Sequence, residues 1–147
     1  QDMLGSMDRY DRVLIDLPAT PRGGRLAETL AGLGLDGIEG LAVHLLLSPH
    51  YATSQLAAFL DAYRTRKTVS LIWTKLDEAC TFGEIVNAAV TSGLPASALV
   101  KGPGLRDALA LTDEMALWKL LFKHELPTSR ADAAQARPAR AKGRAAA

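Results

Sequence analysis

Apolar positions along the chain fall into two alternating patterns, short unbroken runs and longer stretches at helical spacing. Val13-Leu14-Ile15 sits in a run from Arg12 to Asp16 that ends in an acid. Leu41 to Leu47 is broken only by His44, Val69-Ser70-Leu71-Ile72-Trp73 is the third run, and Ala96 to Val100 is a weaker fourth. Runs this short and apolar toward both faces fit strands buried in a parallel sheet. Between them, Leu56, Phe59, Leu60 and Tyr63 recur at helical spacing, as do Phe82, Ile85, Val86 and Ala89. Met115, Trp118, Leu121 and Phe122 repeat it near the end. Asp113-Glu114 and Lys123-His124 bracket that last helix with charges suited to its dipole, and Pro127 stops it. Strands alternating with helices predict right-handed βαβ crossovers. The expected fold class is therefore α/β: a doubly wound, mostly parallel sheet of about four strands with flanking helices.

The pattern stops at Pro127. From Thr128 to Ala147 the chain is mostly alanine with Arg130, Arg137, Arg140, Lys142 and Arg144, one acid, Asp132, and Pro138. Nothing there can bury a face, so the expected organisation is one folded unit over residues 1–127 and a disordered basic tail over 128–147. The tail's cations could meet RNA or anionic lipid, although a solvated C-terminal extension is the plainer account. A chain of 147 residues has room for one proper core. A net charge of +1 argues against whole-surface attraction to nucleic acid or an anionic membrane, and no specific nucleic-acid partner is expected. Cys80 is the one cysteine, which rules out an intrachain disulfide and suits a reducing cytosol. No apolar run approaches the ~20 residues of a membrane span, and the N-terminus carries no signal-peptide pattern. Gln1 stands where an initiator methionine would, as expected of a chain that begins inside a longer one.

In a sheet of this type, ligands bind beyond the carboxyl ends of the strands. Three polar clusters fall there: Asp16 after the first run, Thr74-Lys75-Leu76-Asp77 after the third, and Lys101-Gly102 after the fourth. An aspartate at the position of Asp77 can accept hydrogen bonds from both the ring N–H and the exocyclic amine of guanine, a donor pair that adenine lacks. Lys75 can lay its aliphatic stem along the base plane and keep its ammonium wet. The plain alternative for such a polar stretch is an ordinary loop.

The stretch Thr74-Lys75-Leu76-Asp77-Glu78-Ala79-Cys80-Thr81-Phe82-Gly83-Glu84-Ile85-Val86-Asn87, continued by Ser92-Gly93-Leu94-Pro95, resembles the signal-recognition-particle-type GTPases, and within them the flagellar FlhF family. That family carries a TKLDE segment, a glycine shortly after it, an asparagine in the following helix and a TGLP-like turn before the last strand. The resemblance spans roughly Tyr10 to Pro127 and is specific in its second half. It implies part of a P-loop NTPase G domain that binds GTP or GDP with Mg²⁺, pairs with a like GTPase domain, and helps place or assemble the flagellum with flagellar and membrane components. The implied location is cytoplasmic, peripheral to the inner face of the cell membrane. By the same resemblance Asp77 reads the guanine edge, Lys75 flanks the base, and Thr74 braces the loop. Gly83 lets its helix pass close to a neighbour, and Lys101 and Gly102 close over the base. Pro103 stands where the family has a glutamine, which removes a side-chain contact, and Gly104 adds slack.

The first half departs from the family. Its DTAGR motif corresponds here to Asp16-Leu17-Pro18-Ala19-Thr20. Asp16 is kept, and the resemblance gives it a place on the Mg²⁺ side, acting through water. The glycine that senses the terminal phosphate and the arginine of the catalytic surround are gone, and Pro18 stiffens the loop. No G-x-x-x-x-G-K-[ST] phosphate loop occurs, and Gly23-Gly24-Arg25 is no substitute. The expectation is the base-recognition half of a G domain with no catalytic residue of its own. GTPase activity would belong to a longer chain that supplies a phosphate loop. The alternative is a degenerate, non-hydrolysing relative that serves as a scaffold or partner-binding module. Of the remaining candidates, His44, His50 and His124 lack metal-like spacing, and His44 is expected in the core. Cys80 has acidic neighbours that disfavour a thiolate. Ser48-Pro49-His50 reads as structural, the Trp73 and Trp118 rings as core, and Arg106 and Asp107 as a surface ion pair or partner contact.

Overall fold

The computed structural model describes residues 9–18, 20–21, 23–102 and 108–128. Ala19, Pro103, Gly104, Arg106, Asp107 and the basic tail beyond Thr128 lie outside the described residues. The chain runs α1 (Leu26–Gly32), β1 (Val43–Leu47), α2 (Thr53–Tyr63), β2 (Thr68–Trp73), α3 (Gly83–Ser92), β3 (Ala96–Val100), β4 (Leu109–Leu111) and α4 (Glu114–Trp118), the last continuing as a π-helical turn over Lys119–Lys123. The strands form one open sheet in the order β1-β2-β3-β4. β1–β2 and β2–β3 are parallel and β3–β4 is antiparallel, so the fold is α/β, with a four-stranded, mostly parallel mixed sheet and four helices among the described residues.

Local chemistry explains the boundaries. The Gln55 side chain accepts a hydrogen bond from the Ala52 N–H and closes the start of α2. α3 ends because Gly93 adopts φ +67 and returns its N–H to the Ala89 carbonyl at 2.8 Å, a left-handed cap that glycine makes without strain. Asp113 caps α4 by accepting from the Ala116 N–H at 2.7 Å.

One core joins the helices to the sheet. Leu26 and Leu30 of α1, Leu56 and Leu60 of α2, Ile85 of α3 and Leu120 of the π turn pack with Leu45, Leu71, Trp73 and Leu99. Burying each large aliphatic side chain contributes about 1.5–3 kcal/mol. The strand order is sequential, so the two right-handed crossovers, through α2 and α3, lie on the same face. The sheet is thus covered on one side by the described helices. β1 therefore alternates, with Val43, Leu45 and Leu47 buried and Leu46 67% exposed, whereas the sequence pattern predicted burial on both faces. Leu46, Ile72, Ala98 and Leu111 stand opposite one another in register as an apolar row on the second face.

Four further expectations are corrected. Arg12 to Asp16 is not a strand. It has no regular structure and makes no backbone hydrogen bond to another described residue, and Leu14 is 98% exposed. A strand exists only by pairing, and the fourth strand is instead Leu109–Leu111, antiparallel on the far edge. Trp118 is not core: it is 46% exposed beside exposed Met115 and Phe122, while Leu120 is buried and Ala116, Leu117 and Leu121 are partly so. This helix is apolar nearly all round, so periodicity could not choose its inner face. Trp118 lies 6.0 Å from the Phe122 ring, with the Lys123 ammonium 5.6 Å from its centroid. His44 points outward and is satisfied there, its Nδ1 2.7 Å from Ser70 Oγ, which is 2.6 Å from Ser97 Oγ. Finally, a Cβ at Gly83 would meet nothing within 4 Å, so no close helix passage depends on that glycine.

Candidate functional site

The three parallel strands end at one edge of the sheet, and the segments leaving them are Ser48-Pro49-His50, Thr74 to Glu78, and Lys101-Gly102. Thr74 extends the β1–β2 ladder by one rung and then braces it. Its N–H and its hydroxyl both donate to the Leu47 carbonyl, at 2.8 and 3.2 Å. The chain then turns sharply. Lys75 takes φ 59 and ψ 39, the left-handed region, and a 3₁₀ turn follows over Leu76–Glu78. A lysine held there costs about 1–2 kcal/mol, and such strain persists where surrounding structure over-determines it. Leu76 supplies that constraint, plunging into the core at 1% exposure and pinning the turn from beneath.

With Leu76 anchored inward, Asp77 faces solvent at the strand ends. Its Oδ1 accepts a hydrogen bond from the Gly102 N–H at 2.5 Å, joining two loops 25 residues apart. Gly102 has φ +65, a conformation that favours glycine, and Lys101 fixes the same loop by donating its N–H to the Ala108 carbonyl at 2.9 Å. The structure therefore brings Thr74, Lys75, Asp77, Lys101 and Gly102 to one edge. It leaves Asp16 out of that group: Asp16 is exposed on the irregular segment before α1 rather than at a strand end.

His50 is more than a loop residue here. Its Nδ1 is 2.8 Å from Ser48 Oγ and its Nε2 is 2.9 Å from the Glu78 carbonyl, which ties the loop after β1 to the turn that carries Asp77. The signal in the sequence was the abrupt change from an apolar strand to Ser-Pro-His at the ligand-binding edge. Two surface grooves, of about 360 Å³ beside Arg25, Asp61 and Arg64 and about 250 Å³ beside α4, are lined by none of these residues. His124 lies against the Phe82 ring at 5.9 Å, Cys80 is exposed, and no three His, Cys, Asp or Glu residues cluster as metal ligands among the described residues.

The groups at the edge fit a planar base that offers a donor pair to Asp77 and an acceptor to the Gly102 N–H. The described groups supply no cradle for a phosphate chain with Mg²⁺: Asp16 lies away from this edge, and the sequence has no G-x-x-x-x-G-K-[ST] motif. No protein-family model matches the chain. No helix among the described residues is long and apolar enough to cross a membrane.

Proposed function

We propose that this chain is the base-recognition side of a guanine-nucleotide-binding domain of the signal-recognition-particle GTPase type, resembling the flagellar FlhF members. The observation that carries the reading is the pairing of the Asp77 carboxylate with the Gly102 amide at the carboxyl ends of β2 and β3. Guanine presents the complementary set: two N–H donors for Asp77 and a carbonyl oxygen for Gly102, with the Lys75 stem available to cover its face. GTP or GDP is the ligand class. Hydrolysis and Mg²⁺ binding would require a phosphate loop in addition to Asp16.

The same reading accounts for two features of the fold. A doubly wound domain would cover the apolar row Leu46–Ile72–Ala98–Leu111, and a further strand would give Arg12 to Asp16 a partner. A like GTPase domain, together with flagellar and membrane components at the inner membrane face, is the implied setting. A second reading, a non-hydrolysing relative that works as a scaffold, is favoured by Leu17-Pro18-Ala19-Thr20 in place of the phosphate-sensing motif. GTP hydrolysis by the native protein at the rate of glycine- and arginine-bearing relatives would eliminate that second reading.

The base-recognition test uses guanosine and xanthosine titrated into the chain, with the Gly102 amide followed by NMR. The expected affinity for guanosine is weak, on the order of millimolar, because the phosphate contacts are missing. Asp77→Asn replaces the acceptor by an amide and should shift preference toward xanthosine by roughly tenfold. Unchanged guanosine binding in that variant rejects the proposal.

A further inference from the structure

We infer that His50, held by Ser48, is a positioning residue for Asp77 that acts from a neighbouring loop without touching the base. The hydrogen-bond inventory fixes its chemistry. The Glu78 carbonyl can only accept, so His50 Nε2 must carry the proton at 2.9 Å. In the neutral ring Nδ1 is then an acceptor, and the partner at 2.8 Å is the Ser48 hydroxyl, which donates to it. Ser48 Oγ in turn accepts from the His50 N–H at 3.4 Å, so the loop closes on itself before reaching across. Ser48 is buried, so its hydroxyl offers the exposed ring an anchored partner.

The position of this brace gives it a purpose. The 3₁₀ turn Leu76–Glu78 hangs between two fixed points on its N-terminal side, the Thr74 bonds to Leu47 and the buried Leu76 side chain. On its C-terminal side the backbone bonds within the turn are long, 3.3 Å from Glu78 N to Lys75 O and 3.3 Å from Ala79 N to Leu76 O. The imidazole bond to the Glu78 carbonyl ties down that looser end, one residue from Asp77. Without it the Asp77 carboxylate can swing, and a recognition site loses most when its acceptor is misplaced by even about an ångström. The purpose of the brace rests on the guanine reading, whereas its existence rests on the loop geometry.

Hydrogen exchange of the Gly102 amide, whose acceptor is Asp77, reports the position of that carboxylate with no nucleotide present. In the whole chain, His50→Ala should speed Gly102 exchange about fivefold, the equivalent of one modest hydrogen bond. His50→Gln, whose side-chain amide can donate to the Glu78 carbonyl, should restore the wild-type rate, and Asp77→Ala should set the unprotected limit. Core amides of Leu71 and Leu99 should exchange at wild-type rates in every variant. An unchanged Gly102 rate in His50→Ala overturns the inference, as does failure of His50→Gln to restore it or an equal acceleration of the core amides. Guanosine is added to the wild type separately. If the Gly102 resonance ignores it, the guanine reading fails while the brace is judged on exchange alone.

Discussion

Lys75 offers a test in which stability and recognition should move in opposite directions. It is one of two non-glycine residues with positive φ among the described residues, at 59°, and its side chain is exposed. The left-handed conformation costs an L-residue about 1–2 kcal/mol because its Cβ crowds the following carbonyl, and glycine escapes that cost. Glycine also surrenders more backbone freedom on folding, about 0.5–1 kcal/mol. Lys75→Gly should therefore stabilise the chain by about 0.5–1 kcal/mol net. Lys75→Ala keeps the Cβ and the strain, so it should be no more stable than the wild type. Urea unfolding followed by tryptophan fluorescence is a suitable assay, since Trp73 is fully buried and Trp118 half-exposed, giving two reporters in one signal. With a slope of about 1–2 kcal/mol per molar urea, the glycine variant should raise the midpoint by roughly 0.5 M over the alanine variant. On the guanine reading, both variants should weaken guanosine binding because both lose the aliphatic stem. A glycine variant no more stable than the alanine variant would show that the backbone strain is not there. A stabilised glycine variant with undiminished guanosine binding would make Lys75 a plain turn residue.

Two other substitutions probe the irregular N-terminal segment and the polar ladder on the sheet. Leu14→Lys should change stability by less than about 0.5 kcal/mol, because a side chain 98% exposed has no packing to lose. It should also lower self-association in light scattering, and a larger loss of stability would mean that the segment pairs within the chain. Ser70→Ala should cost about 1–3 kcal/mol in the same urea assay, since Ser70 is buried and its hydroxyl links His44 to Ser97. A neutral result would show that water replaces the hydroxyl.

What the sequence revealed depended on whether the information was local. β2 and β3 were legible within a residue, and α2 and α3 within about three, because their own apolar spacing carries them. α1 was missed: Leu26 and Leu30 are its only buried residues, and two anchors one turn apart make no period. β4 was missed for a related reason, three residues with only Ala110 turned inward. Arg12 to Asp16 failed differently, since its composition suits a strand and only the absence of a pairing partner among the described residues denies it. The inner face of α4 was undecidable from a helix apolar nearly all round. At the candidate site, the individual residues could be singled out, but their relations could not. Nothing in the spacing of Asp77 and Gly102 places one beside the other. That follows from the parallel register Trp73↔Leu99, which aligns the ends of β2 and β3. The link from His50 to Glu78 is equally a product of register, through Leu47↔Trp73.

On the guanine reading, the Asp77–Gly102 pair also bears on selectivity. In the free chain the acceptor and the donor of the proposed base site satisfy each other. A base whose acceptor takes the Gly102 amide must break that bond, and an unsatisfied partner left behind costs about 1–3 kcal/mol when water is excluded. Guanine offers replacements on both sides, two donors for the carboxylate and an acceptor for the amide. Adenine can give the Gly102 amide a ring nitrogen but gives Asp77 only its single exocyclic amine, so it forfeits the second bond to the carboxylate. Discrimination then arises from the cost imposed on the wrong base as much as from the contacts made to the right one. For that cost to be felt, the carboxylate has to be held still before the base arrives. Three features of the loop serve that end: Thr74 on the Leu47 carbonyl, Leu76 in the core and His50 on the Glu78 carbonyl.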